Sequence, residues 1–310
     1  MTALRRPGAP ATADVIVCTR GRPQQLGPCL NALAGQPGLD RLLVVENGAP
    51  ASAAHDLAAG AGASYLVEPR RGSSPARNRG LRAAAADLVA FVDDDCVAEP
   101  DWLPALLAPF AAPDVHAVAG QVLPTEVVTP AQVLFDRCFP YSKGPQPRSF
   151  GPGPRPYPFP LNANEMGTGA SMAFRRRTLA GVGGFVDALS AGGPARGGED
   201  LHAFYAVLRA GYRLVYQPAA RVRHPHPATA ADLDRVLFNY GVAHFAYLTH
   251  CLLAGRDLRA VLRAVAILHH YARRCAAPRP ADLPRRLLLR HLAGSLAGPG
   301  RYLVARRAYG

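Results

Sequence analysis

Four short runs of β-branched and aliphatic residues, Asp14 to Cys18, Arg41 to Glu46, Ser64 to Val67 and Leu88 to Val92, punctuate the N-terminal part of the chain. Each is too short and too uniformly apolar for an exposed helix. The stretches between them, near Arg22 to Ala34, Ala51 to Ala59 and Pro75 to Ala85, carry helical patterns, the last with proline at its start. Alternation of this kind predicts a mostly parallel, twisted sheet with helices on both faces, because parallel neighbours must be joined by a crossover and a helix is the compact one. Ligands of such sheets collect at the carboxyl ends of the strands.

The fourth run ends in Asp93, Asp94 and Asp95. Three adjacent acids repel one another and cannot be buried unpaired, so a strand that delivers them to its end needs a cation or a basic cluster. If the strand alternation continues, Asp93 and Asp95 point one way and Asp94 the other, which leaves a D-x-D pair for one hard cation such as Mg²⁺ or Mn²⁺. A cation held this way usually also holds a diphosphate.

The chain of 310 residues, 49% hydrophobic, can bury one large α/β core or two smaller ones. Cys18, Cys29, Cys96, Cys138, Cys251 and Cys275 include no C-x-x-C pair, so neither a zinc site nor a disulfide framework is expected. No uninterrupted apolar run reaches the ~18–20 residues of a membrane span, and Met1 to Ala13 lacks a signal-peptide core, so a cytoplasmic protein is expected. Lys143 is the only lysine; the arginine bias is shared with an alanine bias and carries no functional argument.

Charge is unevenly placed. From Cys251 to Gly310 there are twelve arginines against Asp257 and Asp282, a net +10 of the formal +13. Leu258, Val261, Leu262, Val265 and Leu268 recur at helical spacing among Arg256, Arg259 and Arg263, and Leu283, Leu287, Leu288, His291 and Leu292 do so beside Arg285, Arg286 and Arg290. Two readings follow: basic amphipathic helices lying on an anionic membrane at the inner face of the cell membrane, or helices packed on the main domain with a solvated arginine face. Aromatic interleaving and a reader motif are both missing, which argues against nucleic acid. Phe139 to Pro160, rich in Pro, Gly and aromatics, reads as a lid or an insertion. Further on, Gly167 to Phe174 reads as a glycine turn into a strand, Glu199 to Ala210 as a helix, and Arg213 to Tyr216 and Ala220 to His224 as two short strands.

Six motifs in order, VIVCTRGRP (Val15 to Pro23), LLVVENGA (Leu42 to Ala49), PRRGSSPARNRG (Pro69 to Gly80), FVDDD (Phe91 to Asp95), GTGASMAF (Gly167 to Phe174) and the long run from Gly197 to Pro227, resemble the family 2 glycosyltransferases of the GT-A fold over roughly residues 13 to 250. The resemblance implies a Rossmann-like nucleotide-binding half followed by an acceptor half. Thr19, Arg20 and Glu46 match positions that line the nucleotide base and ribose, although the family more often has Asp and Ser where Glu46 and Ala49 stand. Arg77 and Asn78 match positions that close over the nucleotide. Asp93 and Asp95 match the family's D-x-D, with Asp93 and its neighbour Asp94 toward the nucleotide-sugar and both Asp93 and Asp95 on the metal, Asp95 foremost. His224 fits a third metal-ligand position, with His226 the competitor. Glu199 and Asp200 match the acid pair that opens a helix near the acceptor, Asp200 as general base; Gly169, Ala170, Ser171 and Gly198 resemble the acceptor floor.

The expected organisation is a tail at 1–12, a GT-A domain at 13–250 (nucleotide-sugar half 13–127, loop insertion 128–165, acceptor half 166–250), and a basic amphipathic helical appendage at 251–310. The implied activity is inverting, metal-dependent transfer of a sugar, hexosyltransferase-like, from a nucleotide-diphosphate sugar to an acceptor hydroxyl in cell-envelope or other glycan biosynthesis. The alternative is a non-catalytic nucleotide-sugar or lipid-binding protein on the same fold. A nucleotide-binding oxidoreductase would need G-x-G-x-x-G after its first strand, and CTRGRP is not that.

Overall fold

The structure, a computed structural model, describes residues 11–152, 159–276 and 283–309. Its strands are β1 (Ala13–Thr19), β2 (Leu39–Asn47), β3 (Ser64–Glu68), β4 (Leu88–Asp93), β5 (Val97–Ala98), β6 (Val115–Pro124), β7 (Arg148–Phe150), β8 (Ser171–Arg175) and β9 (Arg213–His224). They form one sheet in the order β3-β2-β1-β4-β8-β6-β9-β5, with β7 also on β9. The first four strands are parallel, as the alternation predicts, while β8 runs antiparallel to both β4 and β6.

Period-two alternation sorts each central strand between two cores. Val15 and Val17 of β1, with Ala90 and Val92 of β4, pack under α1 (Pro23–Leu33), α2 (Ser52–Gly60) and α4 (Trp102–Leu107). Ile16, Val89 and Phe91 point to the opposite face, under α3 (Ser73–Ala83), α6 (Arg176–Gly181) and α7 (Glu199–Arg209).

Several expected boundaries move. Because β8 inserts between β4 and β6, the halves 13–127 and 166–250 share one sheet and are not separable layers. The two short strands expected near 213–224 are one strand, whose register against β6 shifts between Gly120 and Gln121, opposite the stretch that holds Pro218. A bulge is where a strand tolerates proline. The expected loop insertion at 128–165 opens with helix α5 (Pro130–Cys138), whose Thr129 and Gln132 form a capping box. The expected tail at 1–12 lies almost wholly outside the described residues, as do 153–158 of the Pro/Gly-rich loop.

The expected boundary at 250/251 falls inside α8 (Ala230–Leu253), which is followed by α9 (Arg259–Ala276) and α10 (Arg285–Tyr309). Helices α8 and α10 cross backbone to backbone at glycines: a Cβ on Gly294 would lie 2.1 Å from the Phe238 carbonyl oxygen, and one on Gly298 would lie 2.6 Å from Phe245 Cβ. The Tyr302 hydroxyl meets His250 Nδ1 at 3.0 Å, and the Tyr309 hydroxyl donates to the Arg71 carbonyl at 2.6 Å. For α10, the packing reading of the tail therefore holds. Contrary to the sequence expectation, α8 is long and apolar enough to cross a membrane by length and composition; 44% of its most apolar window is buried in the fold.

Candidate active site

The carboxyl ends of β1, β2 and β4 open into a cavity of about 1370 Å³, closed on its far side by the first turn of α7, the loop after α5, and helices α8 and α9. Thr19, Arg20, Arg77, Asp93, Asp95, Gly169, Ala170, Gly198, Glu199, Asp200 and His224 all line it. Segments far apart in sequence thus converge on one space.

The acidic strand end is organised differently from simple alternation. β4 stops at Asp93 and the next two residues turn. Asp93 and Asp95 face the cavity, but Asp94 does not: it is fully buried, accepts from the Thr19 hydroxyl at 2.7 Å, and pairs with Arg22 at 2.5 Å. Burial pushes its carboxyl up to about 6 despite Arg22. Asp94 is therefore a brace between the ends of β1 and β4, and its expected contact with the nucleotide-sugar is corrected. Arg22 also reaches Asp95 at 3.1 Å.

Asp95 Oδ1 is buried without a hydrogen-bond partner, and His224 Nε2 stands 3.6 Å from it. Ligand atoms of Asp95, Cys96 and His224 lie within 4.8 Å of one another. An orphaned carboxylate oxygen facing an imidazole nitrogen suits a divalent cation; burial raises the Cys96 thiol well above its usual range, so sulfur is the poor member of the set. His226 is turned away, its Nε2 3.2 Å from Asp136 and its ring against Phe135, so the geometry brings His224 and not His226 to Asp95.

Across the cavity, Gly197 and Gly198 adopt φ of 140° and 105°, a conformation that favours glycine, and turn the chain into α7. The helix then opens on Glu199 and Asp200. Glu199 is buried, receives the Ser73 hydroxyl at 2.5 Å and the Arg77 guanidinium at 2.8 Å, and burial raises its carboxyl above the usual range. Arg77 also reaches Asp93 at 2.9 Å; burial opposes its charge, but Asp93 and Glu199 hold it protonated. One guanidinium therefore ties the acidic strand end to the start of α7. Asp200 accepts from the Gly169 amide at 2.7 Å and from the Leu201 amide at 2.8 Å, which fixes its carboxylate at the cavity wall.

Three further expected positions do not line the cavity. Glu46 is buried, one oxygen accepting the Gly21 amide at 3.2 Å and the other without a partner, and its neighbour Asn47 forms the wall instead. Asn78 clamps Phe185, donating to its carbonyl at 2.7 Å and accepting from its amide at 2.9 Å. Ser171 is buried under Trp102, whose indole N–H donates to it at 2.9 Å. All three roles depend on long-range partners that a motif does not reveal.

Sequence reasoning missed the other end of the cavity. Lys143 and Arg148 come from the proline-rich loop, Tyr240 and His244 from α8, and Ile267 and Tyr271 from α9. Burial, and Arg148 beside it, push the Lys143 ammonium down to about 8; burial lowers His244 to about 3, so its imidazole is neutral. The signals available were the reading of Phe139 to Pro160 as a lid or insertion and the standing of Lys143 as the only lysine.

Residues 14–180, more than half of the chain, match the model of glycosyl transferase family 2. The chain belongs to that family. The pre-mycofactocin glycosyltransferase of Mycobacterium tuberculosis is 28% identical over 234 residues, covering 74% of this chain and 46% of that protein. The glucosyl-dolichyl phosphate glucuronosyltransferase of Haloferax volcanii is 28% identical over 181 residues, 56% of this chain and 54% of its own length. The chain thus spans about half the length of these relatives. A mannosyltransferase from Pyrobaculum calidifontis, solved in complex with GDP-Man and Mn²⁺, superimposes with a TM-score of 0.54 at 19% identity, over 98% of this chain and 88% of that one. A mycobacterial protein of known structure gives 0.50 at 18% identity, over 80% and 79%. At these identities the likeness establishes the fold, which is of GT-A type with added C-terminal helices.

Proposed function

We propose that the chain is an inverting, divalent-metal-dependent glycosyltransferase that moves a sugar from a nucleotide-diphosphate sugar to an acceptor hydroxyl. The observation that carries this reading is the convergence of Asp95 with His224 and of Glu199 with Asp200 on one cavity, with Arg77 tying the adjacent Asp93 to Glu199. A sugar or lipid binder has no need of both pairs.

Thr19, Arg20 and Asn47 line the end of the cavity assigned to the nucleotide. Asp95 and His224 would hold Mn²⁺ or Mg²⁺, which supplies positive charge to the diphosphate leaving group. Asp200, fixed by two amide donors, takes the proton of the acceptor hydroxyl. The acceptor oxygen then forms a bond to the anomeric carbon from the side opposite the diphosphate, whose oxygen departs with the bonding pair. A single in-line displacement inverts the anomeric configuration. Glu199 positions Arg77 and the start of α7; burial and the guanidinium occupy it, which leaves Asp200 as the base. The Mn²⁺ and GDP-Man of the Pyrobaculum structure support the metal and donor classes, and the Haloferax relative's name supports a glycan-building acceptor.

The test is turnover of radiolabelled UDP-, GDP- and dTDP-sugars with Mn²⁺, with Mg²⁺ and with EDTA. Transfer or hydrolysis of one donor, lost in EDTA and giving an inverted anomeric centre by proton NMR, is expected. Binding without turnover supports the non-catalytic alternative; full activity in EDTA removes the metal, and a retained configuration removes the single displacement.

A further inference from the structure

Helix α9 has two faces with different tasks. Arg263, Ala266, Ile267 and Tyr271 form a wall of the cavity. On the outside, Leu258 just ahead of the helix and Val261, Leu262 and Val265 on it are 76%, 45%, 62% and 59% exposed. Their i, i+3, i+4, i+7 spacing gathers them into one aliphatic stripe over two turns. Only Ala260 of this 18-residue helix is buried. A contiguous apolar stripe left in water marks an interaction surface.

The charges around the stripe select its partner. Arg259 is used by Asp257 at 2.7 Å and Arg263 by Glu165 at 3.4 Å. Arg256, ahead of the stripe, and Arg273, eight residues beyond Val265 and so on the same side, are exposed, and among the described residues no carboxylate pairs with either. With Arg256 and Arg273 unneutralised on it, two copies of this face would repel each other. Aliphatic side chains flanked by unneutralised arginines fit a surface that is apolar inside and negative outside, which is the composition of an anionic bilayer.

We infer that α9 is an interfacial helix that seats the protein on an anionic lipid bilayer. Since the same helix walls the cavity that Asp200 also lines, an acceptor anchored in that bilayer meets the site along α9. This second step rests on the proposed transferase activity; the seat itself does not, and its test requires no turnover.

The experiment is sedimentation of the full chain with vesicles of phosphatidylcholine alone and with phosphatidylglycerol at 30 mol%, in ~0.1 M salt where screening extends about 10 Å. At least tenfold stronger binding to the anionic vesicles, reversed by high salt, is expected. Each arginine at such a surface contributes about a fivefold gain in partitioning. The double variant R256E/R273E should therefore lose at least tenfold, as should L258S/L262S, with both keeping the circular dichroism of the parent. V128S, which alters a residue 73% exposed on another part of the chain, serves as the control and should bind as the parent does. Equal sedimentation with neutral and anionic vesicles, absence of binding to either, unchanged binding of both double variants, or self-association abolished by L258S/L262S would each overturn the inference.

Discussion

Arg77 is the strut of the site, and its removal has a calculable cost. The guanidinium side chain is 8% exposed and bridges Glu199 at 2.8 Å and Asp93 at 2.9 Å. Breaking a buried ion pair by deleting one partner costs ~3–5 kcal/mol, mostly because the other charge is left uncompensated. Two features pull the expected figure toward the lower end. Ser73 still donates to Glu199 at 2.5 Å, and the Glu199 carboxyl is already raised by burial, so protonation relieves part of the loss. Arg77→Met should therefore destabilise by about 3 kcal/mol at pH 8. The pH dependence has a definite sign. Losing the guanidinium raises Glu199 further, so the folded state binds a proton across a wider window above the unfolded value, and the variant's stability falls as pH rises through it. The deficit should be smaller at pH 5 than at pH 8, and Arg77→Met with Glu199→Gln should recover most of it. Urea unfolding of the parent, both single variants and the double variant, at both pH values, measures each quantity. A loss below about 1 kcal/mol at pH 8, or no recovery in the double variant, would refute the strut.

Asp95→Ala should abolish Mn²⁺-dependent nucleotide-sugar binding in calorimetry while the melting temperature holds, because the residue adds little to the core; His224→Ala should weaken it and His226→Ala should not, since His226 is paired with Asp136. Gly298→Leu should cost about 3 kcal/mol and expose α10 to protease, because its side chain enters the Phe245 and Val242 backbone crossing. Burial lowers His202 and His244 to about 3 and His250 and His291 to about 4, so their contribution is complete above about pH 6.5 and is lost as pH falls toward those values. At pH 5 each costs up to ~2 kcal/mol, so the melting temperature should drop steeply from pH 7.5 to 5, and less so in His291→Phe.

The strands of the first half were legible because period-two alternation and β-branching act locally: Val15, Ile16 and Val17 declare a strand buried on both faces. Asp95, His224, Glu199 and Asp200 were grouped by the resemblance of their motifs and not by local pattern, and the structure brings all four to one cavity. What the sequence hid was set by distant partners. Asp94 is drawn inward by Thr19 and Arg22, and Ser171 by Trp102, and neither pairing leaves a local trace. The insertion of β8 between β4 and β6 is likewise a choice among pairings that each strand alone permits. The helix α5 could have been read from Thr129 and Gln132, a capping box at the required spacing. The basic tail divides in a way composition cannot show: α10 is fixed by glycines against α8, and α9 keeps its aliphatic stripe in solvent.

The central claim is that Asp200 is the general base of a sugar transfer carried out in this cavity. Asp200→Asn preserves size and leaves an oxygen for the Gly169 amide, giving up the bond from the Leu201 amide, but it cannot take a proton. Transfer from the donor identified in the nucleotide-sugar screen, measured beside donor affinity by calorimetry, separates the possibilities. The account predicts unchanged donor and metal affinity with transfer reduced at least ~100-fold, the usual scale of general-base catalysis. Transfer near the parent rate would contradict it and move the base to Glu199, whereas loss of donor binding would make Asp200 a structural cap of α7.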